Sequence, residues 1–163
     1  MDLNRFAAVH CSVARASGIV ADPWALLILR DLFLGIYRYD ELRRDLGIAT
    51  NVLADRLDRL VEREIVLRRA YQHNPIRYEY RLTEAGRDLY GVILTLMAWG
   101  DRHLAPDGAP LRMVHLECGE QTVPTVSCDQ CGGRLTPDTV RIEPGPDCRA
   151  APGTAIIATR LAR

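Results

Sequence analysis

The chain has 163 residues, enough for one domain of ordinary size with a small appendage, and 48% of them are hydrophobic, which suffices for a core. Arginine supplies every basic side chain, and 21 basic residues balance 21 acidic ones, which disfavours a strongly basic protein that coats nucleic acid non-specifically. The N-terminus lacks a signal-peptide pattern, and the most apolar stretch, Leu89 to Trp99, is too short to span a bilayer. We therefore expect a cytoplasmic protein without a membrane segment, with its cysteines reduced.

Two helices are predicted near the N-terminus. The first covers about Ser12 to Ser17, and the second covers Pro23 to Leu34. Proline is favoured in a first turn, Asp22 can cap the second helix, and Gly35 ends it. The side chains expected to face the core are Trp24, Leu27, Ile28 and either Phe33 or Leu34.

The next stretch predicts a helix, a tight turn and a second helix. Gly47 ends the first of these helices, because glycine tolerates the left-handed conformation that closes a helix. Thr50 is expected to cap the second one with its hydroxyl oxygen. The apolar side of that second helix is formed by Leu53, Leu57, Leu60 and Val61. Its polar side lies opposite, as it does in a helix that enters a DNA major groove.

A two-stranded hairpin is predicted directly afterwards. Residues 65–67 suit one strand, and residues 76–82 alternate as a second strand, with QHNP as the turn between them. From Ile65 to Tyr78 the chain contains three arginines and no acidic residue. A basic hairpin beside an exposed helix is electrostatically suited to a phosphate backbone.

These two features predict binding to double-stranded DNA, although helix-turn-helix units also occur as protein-binding modules. The helix is expected to approach base edges and nearby phosphates through Thr50, Asn51, Asp55, Arg56 and Arg59. The hairpin is expected to contribute Arg68, Arg69, His73, Asn74 and Arg77.

A long helix is predicted after the hairpin. Thr83 can cap it, and it extends to about Leu104. Its middle, LYGVILTLMAW, is apolar nearly all round, so we expect it to be buried on every side. The simplest partner for its outer side is the same helix of a second subunit, which predicts a homodimer. Alternatively, the C-terminal segment covers it.

The chain changes character after the linker APDGAP, residues 105–110. Short extended pieces follow, with too few apolar residues for a core of their own. They carry two pairs of candidate metal ligands, namely His115 with Cys118 and Cys128 with Cys131, each with two residues between its members and a glycine directly after the second. One nitrogen and three sulfur ligands suit a structural zinc ion, and a small segment without a core needs such a staple. The sequence therefore predicts one Zn²⁺ per chain.

The alternatives for this cluster are a redox CxxC pair, a disulfide or unrelated thiols. Cys148 could replace His115 as the fourth ligand. Cys11 stands apart near the first helix and is more typical of a small buried residue than of a sensor. Its reactivity would rise if His10 and Arg15 lowered its pKa.

These motifs together resemble the HxlR family of transcriptional regulators, which are relatives of MarR-type winged helices. The resemblance spans Cys11 to about Leu104, and Asp22-Pro23 stands where the family has Gly-Lys. The segments that carry it are Cys11, PWALLILRDLFLGIYRYDEL, GIATNVLADRLDRLVEREIV, YQHNPIRYEYRLTEAG and the WG after the long helix. It implies a homodimer that places two winged-helix units on a palindromic operator.

In some family members the N-terminal cysteine senses electrophiles or oxidants. Cys11 matches that position, with Ser12 in place of the proline that commonly follows. The resemblance thus implies a possible redox sensor at Cys11, whereas the zinc-ribbon-like segment lies outside the core family region.

The predicted fold class is mainly α with a small β wing, a winged helix-turn-helix with a C-terminal zinc-ribbon-like β appendage. The predicted domains are 1–104 for DNA binding and dimerisation, 105–110 as linker, 111–149 as zinc-ribbon-like segment and 150–163 as tail. The predicted function is sequence-specific transcriptional regulation by a homodimer that responds to a small molecule or a redox signal. The alternatives are an adaptor whose winged helix binds a protein of the transcription machinery, and a thiol oxidoreductase using Cys128 and Cys131. No arrangement typical of a catalytic site is present, so an enzyme is not expected.

Overall fold

The computed structural model describes Phe6 and residues 8–161, and the fold that they form is α+β. These residues divide into two compact units, and the boundary predicted after Leu104 lies inside the second of them. One unit contains the residues up to 87 together with those from 142 onward, and the other contains residues 88–141.

The first unit is a winged helix. Its elements are α1 (Ser12–Val20), α2 (Pro23–Phe33), α3 (Tyr39–Leu46), α4 (Thr50–Glu62), β1 (Val66–His73), β2 (Ile76–Leu82), α5 (Glu84–Asp88) and α7 (Ala155–Leu161). Strands β1 and β2 pair antiparallel, and the cis peptide bond Asn74–Pro75 lies at the tip between them. This order of helices and hairpin confirms the predicted winged helix-turn-helix.

The core of this unit lies between α2, α3, α4 and the base of the hairpin. Its fully buried aliphatic side chains are Ile28, Leu29, Leu32, Leu42, Leu53, Leu57 and Val66, and the carboxylate of Asp31 is fully buried as well. Each buried aliphatic side chain of this size contributes about 1.5–3 kcal/mol relative to exposure. The helical spacing of leucines in α4 is therefore what holds its apolar face against α2.

Several local predictions hold at the ends of the helices. The Asp22 carboxylate accepts hydrogen bonds from the backbone amides of Trp24 (3.0 Å) and Ala25 (3.1 Å), as expected of an N-cap. Gly47 ends α3 with φ of +59°, in the left-handed region. The hydroxyl oxygen of Thr83 accepts from the amide of Gly86 at 3.0 Å, so Thr83 does cap the helix that follows.

Other local predictions were wrong. The N-cap of α4 is Ala49, so Thr50 already lies in the first turn, and its side chain makes no capping bond. The first helix runs on to Val20, and β1 is longer than predicted because its cross-strand pairing continues to His73. In α2, Phe33 is half-buried, whereas the alternative Leu34 is 59% exposed, and Ala25 and Leu29, which were not predicted, are buried in the core. Leu34 lies at the C-cap, where the backbone has already left the helix.

The second unit contains α6 (Tyr90–Leu104) and the two-residue strands β3 (Met113–Val114) and β4 (Gln121–Thr122), which pair antiparallel. The single helix predicted from Thr83 to Leu104 is therefore two helices. They are separated at Leu89, and Gly86 and Gly91 flank the break, where the low helix propensity of glycine favours an interruption.

Helix α6 is far less buried than its composition predicts. Ile93 is buried, but four large apolar side chains are about half exposed in the single chain, namely Tyr90, Val92, Leu96 and Trp99. The single chain therefore leaves one side of α6 uncovered, and burial on every side, as predicted, would require a partner. Among the described residues, no single helix is long and apolar enough to cross a membrane, although α1 and α2 together reach that length and composition as a pair bent by 76°.

Candidate nucleic-acid interface

Helices α3 and α4 form the helix-turn-helix. The hydroxyl of Tyr39, at the start of α3, donates a hydrogen bond to the carbonyl oxygen of Thr50 at 2.7 Å. Burial of this hydroxyl raises the pKa of Tyr39 above its ordinary value. Together with the left-handed turn at Gly47, this bond fixes how α4 follows α3.

The outer face of α4 carries the predicted base-contacting residues. Thr50, Asn51 and Arg59 are exposed, and Asp55 is half-buried beside them. Asp55 forms an ion pair with Arg59 one helical turn later at 3.1 Å, and it also contacts Arg56. Asn51 makes no side-chain hydrogen bond among the residues that the structure describes, so its amide is available to a base edge.

Arg56 is placed differently from the other predicted contacts. Its Nε lies 2.9 Å from the carboxylate of Asp22, but the N–H is not aimed at the oxygen, so the contact is an ion pair without a good hydrogen bond. The contact with Asp22 raises the pKa of Arg56, and Asp55 acts in the same direction. Two carboxylates therefore hold this guanidinium, and it links α4 to the cap of α2.

The hairpin, or wing, presents its basic residues to solvent. Arg68, Arg69, His73, Asn74 and Arg77 are all exposed. The guanidinium of Arg68 lies over the ring of Tyr78 at 4.8 Å, and Arg69 is paired across the strands with Glu79. A bulge between Ala70 and Gln72 shifts the register before the tip. In the described residues, the side chains of Arg77 and His73 have no hydrogen-bond or ion-pair partner.

Two further arginines, which the sequence did not single out, support the wing. Arg38 precedes α3, forms a β-bridge with Glu79 and lies over the ring of Tyr71 at 4.7 Å. Arg81 lies over the ring of Tyr37 at 3.5 Å and binds Glu79 through two hydrogen bonds of 3.1 Å. These bonds lower the pKa of Glu79. The signal that could have revealed them is the alternation of arginine and tyrosine in residues 37–39 and 77–81.

The one acidic residue of the wing, Glu79, is thus bound by an arginine. Arg81 binds the carboxylate of Glu79. Residues 65–78, which include Arg68, Arg69 and Arg77, contain no acidic residue. The arrangement places an exposed polar helix face and a basic hairpin in one compact unit. Chemically, this suits a helix in the major groove and a wing on the phosphate backbone.

Two equivalent turns of the second unit hold the predicted ligands, His115 with Cys118 and Cys128 with Cys131. The amide of Gly119 donates to the carbonyl of His115 at 2.8 Å, and the amide of Gly132 donates to that of Cys128 at 2.8 Å. Both glycines have φ near +70°. Each turn is closed by a second bond five residues apart, from the amide of residue 115 to the carbonyl of 120 (3.0 Å) and from 128 to 133 (2.8 Å).

Within each turn the two predicted ligands approach one another. Nδ1 of His115 lies 3.4 Å from the sulfur of Cys118. The thiol of Cys128 is contacted by the backbone amides of Gln130 and Cys131 and by the Cys131 thiol, which together lower its pKa. Among the described residues, no three His, Cys, Asp or Glu side chains are grouped so that they could hold a metal ion. The two pairs therefore do not form one four-ligand cluster. Cys148 belongs to the first unit.

Cys11 lies at the N-cap of α1 and is half-buried. The neighbouring His10 is bound by the C-terminal segment, through its backbone amide to the carbonyl of Pro152 at 3.0 Å and through Nε2 to the carbonyl of Asp147 at 2.7 Å. Gly153 packs so closely that a Cβ there would lie 2.3 Å from Cγ1 of Val9. Arg15 contacts the hydroxyl of Ser12 at 3.4 Å. Both candidate activators of Cys11 therefore have other partners.

Similar proteins are described as helix-turn-helix transcriptional regulators. The sequence profile of HxlR-like helix-turn-helix proteins matches residues 19–108. An uncharacterized HTH-type transcriptional regulator of Mycobacterium tuberculosis is 46% identical over 140 residues, which cover 85% of this chain and 89% of that protein.

Solved structures agree with the family match. The crystal structure of PA1607, a proposed transcription factor, aligns with a TM-score of 0.73 at 33% identity over 82% of this chain and 94% of that one. The redox regulator HypR in its oxidized form aligns with a TM-score of 0.54 at 30% identity, over 57% of this chain and 97% of that one. The chain belongs to the HxlR-like helix-turn-helix family of transcriptional regulators.

Proposed function

We propose that the protein is a sequence-specific transcriptional regulator that binds a palindromic operator as a homodimer. The observation that carries this proposal is the pairing, within one unit, of an exposed polar face on α4 with a basic wing whose one acidic residue, Glu79, is already bound by Arg81. The zero net charge suited an adaptor that binds a protein partner, but the local charge of this surface is positive. Family membership also favours DNA over that alternative.

The residues of α4 divide into two roles in this proposal. Thr50, Asn51 and Arg59 are exposed and approach base edges or nearby phosphates. Asp55 and Arg56 act through others, because Asp55 holds Arg59 and Arg56 is held by Asp22. The five wing residues, Arg68, Arg69, His73, Asn74 and Arg77, contact phosphates or the minor groove.

Operator binding is tested with the DNA that flanks the protein's own gene, by fluorescence anisotropy over a series of salt concentrations. The variant Arg77→Ala removes one phosphate contact, so the slope of log K against log salt should flatten by about 0.9. Asn51→Ala should instead relax base discrimination, by about 1–3 kcal/mol for one specific contact.

The matched control is Arg160→Ala, because Arg160 is exposed on α7, outside the helix-turn-helix and the wing. It should leave both the affinity and the slope unchanged. Unchanged affinity and slope in Arg77→Ala would remove the wing from the interface. Failure of the wild-type protein to prefer any DNA sequence would refute the proposed function.

The second copy in the homodimer is proposed to pack on α6. Val92, Leu96 and Trp99 are spaced as a seam along one side of this helix and are 47–55% exposed in the single chain. Burying such a row in a partner removes a large apolar surface from water. A homodimer would also supply the two winged helices that a palindromic operator requires.

A redox signal is the proposed input for Cys11. The support is the similarity to a redox regulator and the placement of Cys11 at a helix start, half-buried under the C-terminal segment. In the experiment, diamide should weaken operator binding by the wild type but not by Cys11→Ser. Equal loss of binding in both proteins would exclude Cys11 as the responsive thiol.

A structural zinc ion on His115, Cys118, Cys128 and Cys131 is also proposed. The donor chemistry suits zinc, and the two turns share one hydrogen-bond pattern with a left-handed glycine directly after the second ligand. In the described residues, however, these donors form two separate pairs, and no three of them are grouped to hold one ion. When bound, zinc would crosslink the two turns and leave no open position for chemistry.

A further inference from the structure

A cleft of about 260 Å³ lies within the second unit, between the last turns of α6, the linker and the β3–β4 hairpin. It is large enough for a small molecule, although somewhat below the usual range of about 300–1,000 Å³ for ligand pockets. Its lining includes Ala98, Asp101 and Arg102 of α6 together with residues 111–113 and 121–123.

The lining of the cleft combines an apolar wall with positive charge. Leu111, Met113 and Val123 supply apolar surface. Among the lining residues, Arg102 and Arg112 are basic and only Asp101 is acidic. In the described part of the chain, neither guanidinium makes a hydrogen bond or an ion pair. Two unpaired guanidinium groups beside apolar surface match a molecule with one carboxylate and a compact hydrocarbon body.

The cleft and the proposed dimer seam occupy different sides of α6. At 100° per residue, the positions of Ala98, Asp101 and Arg102 lie roughly 130° around the helix from those of Val92, Leu96 and Trp99. A molecule in the cleft would therefore not compete directly with a second copy on the seam. It would contact the same helix, which is how a ligand could bias the arrangement of a dimer.

We infer that this cleft is a binding site for a small apolar carboxylate that acts as effector. The existence of the site stands on the cleft alone, whereas its role as an effector site rests on the proposed function. The Arg102 and Arg112 side chains would bind the carboxylate, and the wall of Leu111, Met113 and Val123 would pack on the hydrocarbon part.

The experiment uses the full chain and three probes with the same ring: benzoate, benzamide and benzylammonium, which carry negative, zero and positive charge. Binding is measured by two-dimensional NMR titration of the free protein. Benzoate should shift the amide signals of Met113, Thr122 and Val123, while the neutral and cationic probes should bind at least about tenfold more weakly, as expected when charge-assisted hydrogen bonds are lost.

The variant Arg102→Gln with Arg112→Gln should weaken benzoate binding at least about tenfold, since it removes both cations but keeps polar groups of similar size. Arg134→Gln is the matched control, because Arg134 is an exposed arginine of the same unit that does not line the cleft. Equal binding of the three probes, equal binding by the double variant, or no shift at the cleft residues would overturn the inference.

Operator binding is then measured separately, with and without benzoate. A change in affinity that the double variant abolishes would support the effector role, and no change would overturn that role. A protein that binds benzoate in the cleft but recognises no DNA would support the site while refuting the proposed function, so the two failures are distinguishable.

Discussion

Gly86 is the position at which one added methyl group should do the most damage. It is buried in α5, and a Cβ built on it would lie 2.1 Å from the carbonyl oxygen of Ile65. Carbon and oxygen atoms in contact are normally about 3.3 Å apart, so the backbone must open by roughly 1.2 Å. That same oxygen accepts hydrogen bonds from the amide and the hydroxyl of Thr83, both at 3.1 Å.

Gly86→Ala is therefore expected to destabilise the protein. Overpacking costs about 1–3 kcal/mol. Weakening two hydrogen bonds adds about 1–3 kcal/mol, and the better helix propensity of alanine returns up to about 1 kcal/mol. The net loss of unfolding free energy should be about 1–6 kcal/mol. Because Ile65 directly precedes β1, the strain falls at the base of the wing, and operator affinity should decrease as well.

The measurement is urea unfolding followed by circular dichroism at a fixed protein concentration. Gly91→Ala is the matched control, since Gly91 lies in α6 and a Cβ there meets no atom within 4 Å. It should be neutral or stabilise by up to about 1 kcal/mol. If both variants shifted the unfolding midpoint in the same direction and to the same extent, the steric reasoning at Gly86 would be refuted.

Three further predictions concern the seam on α6, the zinc ligands and the buried carboxylate of Asp31. Leu96→Glu should convert a dimer into monomers or aggregates in sedimentation experiments, and a wild-type monomer at micromolar concentration would contradict the seam on α6. Elemental analysis should find one zinc per chain, lost in Cys128→Ser but kept in Cys148→Ser; a metal-free wild type would refute the site. Burial raises the pKa of Asp31 above its ordinary 3.8, with Arg30 opposing this effect. Its contribution to stability is therefore fully present below 3.8 and is lost as the pH rises through the raised value, so the stability of the wild type relative to Asp31→Asn should increase as the pH falls towards 4. A pH-independent difference would contradict this assignment.

The parts of the fold that could be predicted from the sequence are those fixed by neighbouring residues. The leucine spacing of α4, the turn at Gly47 and the caps at Asp22 and Thr83 depend on residues within one or two helical turns. The predictions that failed concern the particular residue at which an element begins or ends, which small local differences decide. Thr50 carries the right side chain for a cap, yet the helix begins one residue earlier than predicted, and Ala49 takes the cap position.

The candidate interface shows the same division. The alternation in β2 located the wing, but no local pattern shows that Arg56 would be held by Asp22, because the two residues are far apart in the chain and meet only when α4 packs beside α2. The stacking of Arg38 on Tyr71 likewise requires the segment before α3 to pair with β2. Contacts between distant elements follow from packing, which periodicity does not encode.

The neutral net charge of the chain disfavours DNA binding when it is considered alone. The contacts explain why the local charge at the wing matters more than the net charge. Asp55 is held by Arg56 and Arg59 on α4, and Glu79 is held by Arg81 on β2. Each of these carboxylates faces an arginine of its own element, so its field at the surface is largely cancelled. The cations that remain on the wing, Arg68, Arg69 and Arg77, are exposed in a stretch without acidic residues. Because salt screens charges beyond about 8–10 Å, a phosphate at the wing responds to this local surplus and hardly at all to the rest of the chain.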